Sequence, residues 1–181
     1  MNIKSYLHSL ASFLSRKKIS LDNLQKVDLP DAVAYEEDLA RNLIGGSSKK
    51  SIKKLYNPDT KAIKPSRFLD TRNPRELSVN RISTLTERQA HKLGIEHADE
   101  IKRSGNTNSV YHGFAKISVR ECLEAGCSEV VKDDYNGSKP YHANIIYPQS
   151  EKSDEMEIAN VLAFKAVLVK YNTDAIGGVG N

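Results

Sequence analysis

Two histidines lie in segments that the sequence predicts to be β-strands. His112 stands next to a glycine inside one strand, and His142 begins another. If a short turn joins the last two strands, Asp133 lies opposite His142, and opposed side chains come within about 5 Å at Cβ. A carboxylate at that distance can orient a histidine as a general acid or base. The alternative is that both histidines are hydrogen-bonded structural residues, and a register shift of one residue removes the His142–Asp133 pair.

A second group of residues is suited to binding anions. Four arginines follow a lysine-rich stretch, and the planar guanidinium fits phosphate or carboxylate. The predicted anion- or nucleic-acid-binding residues are Lys49, Lys50, Lys53, Lys54, Arg67, Arg72, Arg75 and Arg81. The alternative is a solvated loop with ordinary surface ion pairs.

The charge of this region far exceeds that of the whole chain. Residues 41–75 hold ten basic and two acidic residues, a net charge of +8, whereas the 181-residue chain has a net charge of +4. Such a local field attracts polyanions, so residues 41–75 form a candidate nucleic-acid-binding surface. Alternatively, Glu36, Glu37 and Asp38, or acidic faces of later helices, neutralise the cations, or the stretch is only a solvated linker.

The sequence shows none of the stronger catalytic or metal-binding motifs. It has no P-loop, G-x-G-x-x-G, H-E-x-x-H, C-x-x-C or G-x-S-x-G pattern. Cys122 and Cys127 have C-x4-C spacing without a second pair, which favours buried structural thiols over zinc ligands. We therefore predict no metal and no cofactor. An enzyme site assembled from scattered residues remains open.

The N-terminal part is predicted to be helical. Residues 3–17 have an apolar stripe at helical spacing, and residues 21–26 and 31–44 are further predicted helices, the last ended by Gly45-Gly46. The predicted protein-contact residues on the first helix are Tyr6, Leu10, Phe13 and Leu14. A membrane-surface helix is the alternative, but Lys4 is the only basic residue on the polar face before the cluster Arg16, Lys17 and Lys18, which favours packing against a core or a partner.

The C-terminal part alternates strands and helices. Predicted strands cover 77–80, 109–117, 129–132 and 141–147; capping boxes open helices at Thr86 and Ser118, and a helix capped by Asp154 covers 155–170. His91 and His97 lie on polar helical stretches and are expected to face solvent. The predicted fold class is α+β: N-terminal helices joined by a basic linker to a small mixed or antiparallel sheet covered by helices. The predicted division is a helical segment 1–44, a linker 45–66, an α+β domain 67–172 and a flexible tail 173–181.

Several segments together resemble a group of small bacterial proteins whose activity is unknown. They are L-S-V-N-R, G-F-A-K-I-S-V-R-E-C, V-V-K-D-D followed by Y-H-A-N-I, and L-A-F-K-A, within residues 67–167. The group shares L-S-V, G-x-x-x-V-x-E and H-A-x-I segments and an acidic D-P step, whose proline is missing after Asp133-Asp134 here. The resemblance implies a bacterial or phage-linked cytoplasmic protein and no mechanism. It draws attention to Arg81, Glu121, Asp133 and His142.

These patterns lead to two functional hypotheses. The first is a non-catalytic binding or accessory subunit of a larger bacterial, phage-linked or defence-type assembly, which contacts a protein or nucleic-acid partner. The alternative is a nuclease- or transferase-like enzyme on a phosphate-bearing substrate, with His142 as general base or acid, Asp133 orienting it, and Arg67 or Arg81 holding the anion. No apolar run is long enough to span a bilayer, and no signal peptide is visible, so we expect a cytoplasmic protein without a membrane partner.

Overall fold

The computed structural model describes residues 29, 32–69, 75–133, 141–149 and 152–172. They form an α+β fold around an antiparallel sheet of six strands in the order β4-β5-β2-β1-β3-β6. The strands are β1 (Asp38–Gly45), β2 (Glu76–Arg81), β3 (Val110–Ser118), β4 (Glu129–Lys132), β5 (His142–Ile146) and β6 (Val167–Lys170). The helices are α1 (Lys49–Ile52), a 3-10 turn (Pro65–Phe68), α2 (Glu87–Arg103), α3 (Val119–Glu124) and α4 (Lys152–Lys165). The predicted α+β class is confirmed, and of the two predicted sheet types, mixed or antiparallel, the structure has the antiparallel one.

Local capping signals set the starts of two helices. The Thr86 hydroxyl accepts from the backbone N–H of Gln89, whose side chain in turn accepts from the N–H of Thr86. Ser118 and Glu121 form the same reciprocal pair at the start of α3. Each pair satisfies backbone donors that have no partner inside the helix, so both predicted helix starts are confirmed.

Apolar side chains fill both faces of the sheet. On one face Leu77, Val79 and Ile145 pack in the main core, which the 3-10 turn enters through Phe68 and α4 through Leu162. We call this the core face. The opposite face, here called the α2 face, contributes a smaller apolar cluster with α2, which includes Ala40, Ala90, Tyr111 and Phe114. Because side chains alternate along a strand, Ser78 and His142 point away from the main core.

The predicted helix over residues 31–44 is wrong, because Asp38–Gly45 is a strand near the centre of the sheet. Leu39 and Leu43 are four residues apart, a spacing that puts them on one side of a helix and equally on one face of a strand. Ala40 belongs to the cluster on the other face. A strand that is buried on both faces loses the alternation that identifies a strand in sequence.

Part of the predicted linker packs against the sheet. Leu55, Tyr56 and Ile63 are buried in the main core, and a β-bridge joins Tyr56 to Ile63. Ser48 caps α1 by accepting from the backbone N–H of Ser51. Leu55, Tyr56 and Ile63 are thus apolar anchors in a segment whose Lys-, Gly- and Ser-rich composition predicted a linker.

The last predicted helix is shorter than expected. It ends at Lys165 and is followed by β6, an edge strand paired with β3, rather than continuing to residue 170. It begins at Lys152, so Asp154 lies in its first turn and not at its N-cap. The predicted helices 3–17 and 21–26, with the contact residues Tyr6, Leu10, Phe13 and Leu14, and the tail 173–181 lie outside the described residues. Among the described helices, none combines the length and the apolar composition needed to cross a bilayer.

Candidate functional site

His142 and Asp133 lie together where β4 meets β5. Lys132 pairs with Ala143, and the backbone N–H of Asp133 donates to the carbonyl of His142 at 3.2 Å, as the predicted register requires. The Nδ1 atom of His142 is 2.6 Å from Oδ2 of Asp133. The predicted side-chain contact is therefore confirmed.

Ser78 extends this contact into a chain of three side chains. It lies in β2 opposite Asn144 of β5, two residues along the strand from His142, so Ser78 and His142 are diagonal neighbours. Its Oγ is 2.5 Å from Nε2 of His142. We call Ser78, His142 and Asp133 the hydroxyl–imidazole–carboxylate chain. Sequence analysis missed Ser78, because its place beside His142 depends on the pairing of β2 with β5, across more than 60 residues.

The chemistry of Asp133 and Ser78 decides which atom donates in each hydrogen bond of the hydroxyl–imidazole–carboxylate chain. The carboxylate of Asp133 accepts, so Nδ1 of His142 carries the proton and donates it. In a neutral imidazole Nε2 then has the lone pair and accepts from the Ser78 hydroxyl. The side chains of His142 and Asp133 are 18% and 14% exposed, so both are shielded but still reached by solvent. This arrangement places a base next to a hydroxyl group.

Three asparagines occupy the same face of the sheet. Asn144 pairs with Ser78, and Asn80 pairs with His142. In β1, Asn42 contacts His97 of α2, with 3.2 Å between Nδ2 and Nδ1, while its Oδ1 is buried without a hydrogen-bond partner in the described structure. His97 is half-buried, rather than facing solvent as predicted.

His112 lies apart from the hydroxyl–imidazole–carboxylate chain. Its Nε2 donates to the backbone carbonyl of Gly46 at 3.1 Å, which ties β3 to the segment after β1. The next residue, Gly113, has φ +132°, and the β1–β3 pairing shifts register nearby. A Cβ at Gly113 would come within 2.2 Å of the carbonyl oxygen of Val169. The structure does not bring His112 to His142, so it supports the structural alternative for this histidine.

His91 is buried, and the predicted solvent-facing position is wrong. It is 5% exposed, its Nδ1 is 2.9 Å from the hydroxyl of Tyr111, and its ring contacts those of Phe114 and Tyr171. Burial lowers the pKa of His91 from its ordinary value, against the raising effect of Glu87.

The four predicted arginines do not form one site. Arg81 is 2% exposed, and its Nε and Nη2 donate to the carboxylate of Glu37 at 2.8 and 3.0 Å. The prediction that Arg81 is an anion-binding surface residue is wrong, because its guanidinium is buried and already binds the carboxylate of Glu37. Arg67 lies on the 3-10 turn at the core face, away from His142; Arg75 is exposed, and Arg72 lies outside the described residues.

The predicted lysines form an exposed surface on α1 and the loop that follows it. Lys49 and Lys50 lie in α1, and Lys53 and Lys54 come directly after it. We define the basic surface as Lys49, Lys50, Lys53, Lys54, Lys61, Lys64 and Lys170. The ammonium of Lys170 is 5.5 Å from the ring centroid of Tyr56, and contact with Lys61 lowers the pKa of Lys170.

The acidic residues that could have neutralised this surface pair elsewhere. Glu36 accepts from Arg120 at 3.3 Å, Glu37 from Arg81, and Asp38 from Lys116 at 2.8 Å. Within the described part of the chain, no ion pair joins the lysines of α1 and its following loop to an acidic side chain. Among the described residues, Glu36, Glu37 and Asp38 therefore form no ion pair with the lysines of α1 and its following loop.

The cysteines are buried, as predicted. Cys122 and Cys127 are free thiols in the main core. Burial raises the pKa of both, that of Cys127 to about 12, so neither is a thiolate at neutral pH. No group of three His, Cys, Asp or Glu side chains among the described residues is arranged to hold a metal ion.

No family model, curated protein or solved structure matches the chain. The resemblance to small bacterial proteins stays a prediction. Two features of the described structure bear on function: the basic surface and the hydroxyl–imidazole–carboxylate chain.

Proposed function

We propose that the protein is a binding module, an accessory subunit of a larger assembly, that holds the phosphate backbone of a nucleic acid on its basic surface. One observation carries this proposal. The lysines of α1 and its following loop are exposed and have no acidic partner in the described structure, while Glu36, Glu37 and Asp38 pair with other cations. Uncompensated cations repel one another, and an external polyanion relieves that repulsion.

The way the surface is built supports phosphate contact over base reading. Leu55, Tyr56 and Ile63 fix the segment to the main core, so the lysines project from an ordered scaffold. Lysine ammonium groups act as point charges that suit phosphate oxygens. We therefore expect contacts mainly to phosphate and little dependence on base sequence.

The salt dependence of binding tests this proposal. Fluorescence anisotropy of a labelled duplex should show affinity that falls steeply with salt, with a log–log slope of about −0.9 per phosphate neutralised. Replacing Lys49, Lys50, Lys53 and Lys54 by Ala should flatten the slope by up to about three to four units.

A matched variant controls for net charge. Replacing Arg88, Lys92, Lys102 and Arg103 of α2 by Ala removes the same charge from the other side of the sheet. This control should keep most of the wild-type slope. No binding at low salt, an unchanged slope in the lysine variant, or an equal change in both variants would contradict the proposal.

In the described structure, neither arginine of the phosphate-enzyme alternative, Arg67 or Arg81, lies on the sheet face that carries His142. Arg81 is held by Glu37, and Arg67 lies on the core face. His142 does contact Asp133, but the group bound to the other ring nitrogen of His142 is the Ser78 hydroxyl and not an arginine. That difference points to another chemistry.

A further inference from the structure

We propose that Ser78 is the nucleophile of an acyl-transfer site, with His142 as its general base and Asp133 as the positioning residue, and that the substrate is a carboxylic ester. The proposal goes beyond nucleic-acid binding and is independent of it. Ser78 and His142 point away from the main core, whereas the segment bearing the basic surface packs into that core. The two functions can therefore fail separately.

Three neighbouring strands build the site. β4 ends beside Asp133, β5 begins with His142, and β2 carries Ser78 in its middle. Both hydrogen bonds of the hydroxyl–imidazole–carboxylate chain are short, at 2.5 Å between Ser78 and His142 and 2.6 Å between His142 and Asp133. Side chains fixed on adjacent paired strands keep their separation, which general-base catalysis requires.

The direction of the hydrogen bonds gives His142 the form of a base. The carboxylate of Asp133 fixes the proton on Nδ1, so the lone pair of Nε2 faces the Ser78 hydroxyl. Nucleophilic serines are activated by this relation of hydroxyl, imidazole and carboxylate, which recurs on unrelated folds and is recognised by geometry.

Neighbouring amides indicate the substrate class. Asn144 lies directly opposite Ser78, and Asn80 lies opposite His142, on the same face. Directly opposed side chains are about 5 Å apart at Cβ, within reach of an oxygen on a carbon bonded to Ser78. Neutral amide donors suit the single oxyanion of a tetrahedral acyl intermediate.

The reaction balances with water as the second substrate. Oγ of Ser78 bonds to the ester carbonyl carbon while its proton moves to Nε2 of His142. The tetrahedral intermediate collapses, the bond to the alcohol oxygen breaks, and the alcohol leaves with the proton from Nε2. Water then attacks the acyl-Ser78 carbonyl and gives a proton to Nε2, which returns it to Oγ as the carboxylic acid departs.

Labelling the full chain with a fluorophosphonate probe tests the nucleophile. Intact-mass analysis should show one adduct per chain, and peptide mapping should place it on Ser78. Ser78→Ala should lose the adduct, whereas Ser128→Ala, at an exposed serine just before β4, should keep it. Peptide mapping of the wild type locates the adduct even if a variant folds poorly. No adduct, or an adduct on another residue, would overturn the proposal.

The roles of the other two residues are tested by the labelling rate. His142→Gln should slow labelling, and hydrolysis of p-nitrophenyl butyrate, by about 100-fold or more. Asp133→Asn should slow both by at least about tenfold at an unchanged melting temperature, and Asp133→Glu should recover part of the rate. A purely structural Asp133 would change the melting temperature and leave the rate per folded molecule unchanged. Wild-type rates in His142→Gln or Asp133→Asn, or no ester hydrolysis by the wild type, would refute these roles.

Discussion

The burial of two polar residues, Arg81 and His91, could not be predicted from their neighbours in the sequence. Arg81 and His91 both lie in polar surroundings along the chain, yet both are buried. Arg81 forms a two-point ion pair with Glu37, and His91 enters a ring cluster with Tyr111, Phe114 and Tyr171. A charged group is buried only where a partner compensates it, and a titratable ring that is buried has an altered protonation equilibrium.

The buried His91 predicts a dependence of stability on pH. Its pKa in the folded protein is lowered, so below its ordinary value of about 6.5 the unfolded chain takes up a proton that the folded chain does not. The stabilising contribution is complete above about pH 6.5 and is lost as the pH falls towards the folded-state pKa. The slope of unfolding free energy there should be up to about 1.4 kcal/mol per pH unit.

Equilibrium unfolding of His91→Gln between pH 8 and pH 5 measures this contribution. The variant should lose the part of the acid destabilisation that comes from His91. Tyr111→Phe is the control, because it removes the hydroxyl 2.9 Å from Nδ1 and keeps the burial that is the largest cause of the shift. It should be less stable than wild type at every pH, with the same dependence on pH. Identical pH profiles for wild type and His91→Gln would contradict the argument.

Among the elements, α2 contacts the sheet through a residue without a side chain. Gly94 is buried in the middle of the helix against the ring of Tyr111. A Cβ at Gly94 would lie 2.1 Å from Cε2 of that ring. The ring is also held by its hydroxyl contact with His91, so it cannot move without disturbing the cluster.

Gly94→Ala should therefore destabilise the protein, against the helix propensities. Alanine in place of glycine inside a helix is favoured by about 1 kcal/mol. Overpacking against the ring should cost about 1–3 kcal/mol, so the net change should be a loss of stability. Chemical denaturation measures it, with Glu96→Ala at an exposed position of α2 as the control, expected within about 0.5 kcal/mol of wild type. A more stable Gly94→Ala protein would mean that α2 packs differently.

Elements defined by nearby residues could be predicted, whereas those defined by distant ones could not. The starts of α2 and α3 follow from pairs three residues apart, and the His142–Asp133 contact follows from one hairpin. Ser78 beside His142, and Glu37 beside Arg81, depend on strand order in the sheet. The sequence of β1 has the pattern of a helix because burial on both faces removes the alternation of a strand.

At the scale of the whole molecule, the order of strands makes the chain from β1 to β6 interdependent. β1 lies between β2 and β3, and its side chains enter both apolar clusters. The segment after β1 supplies Leu55, Tyr56 and Ile63 to the main core. The residues that carry the basic surface and those that build the sheet therefore share one core.

This arrangement predicts how fragments of the chain behave. A fragment of residues 67–172 lacks β1, so β2 keeps only β5 and β3 keeps only β6, and the sheet is divided at its centre. The apolar residues that β1 covers are then exposed. It should show no cooperative thermal unfolding and weak dispersion of amide signals. A fragment of residues 29–172 keeps every described element and should unfold cooperatively. Cooperative folding of the shorter fragment would show that β1 is an addition to a self-sufficient sheet, and would count against the shared core. Adding residues 29–66 as a separate chain extends the test, because a missing central strand supplied in trans should restore the dispersed spectrum.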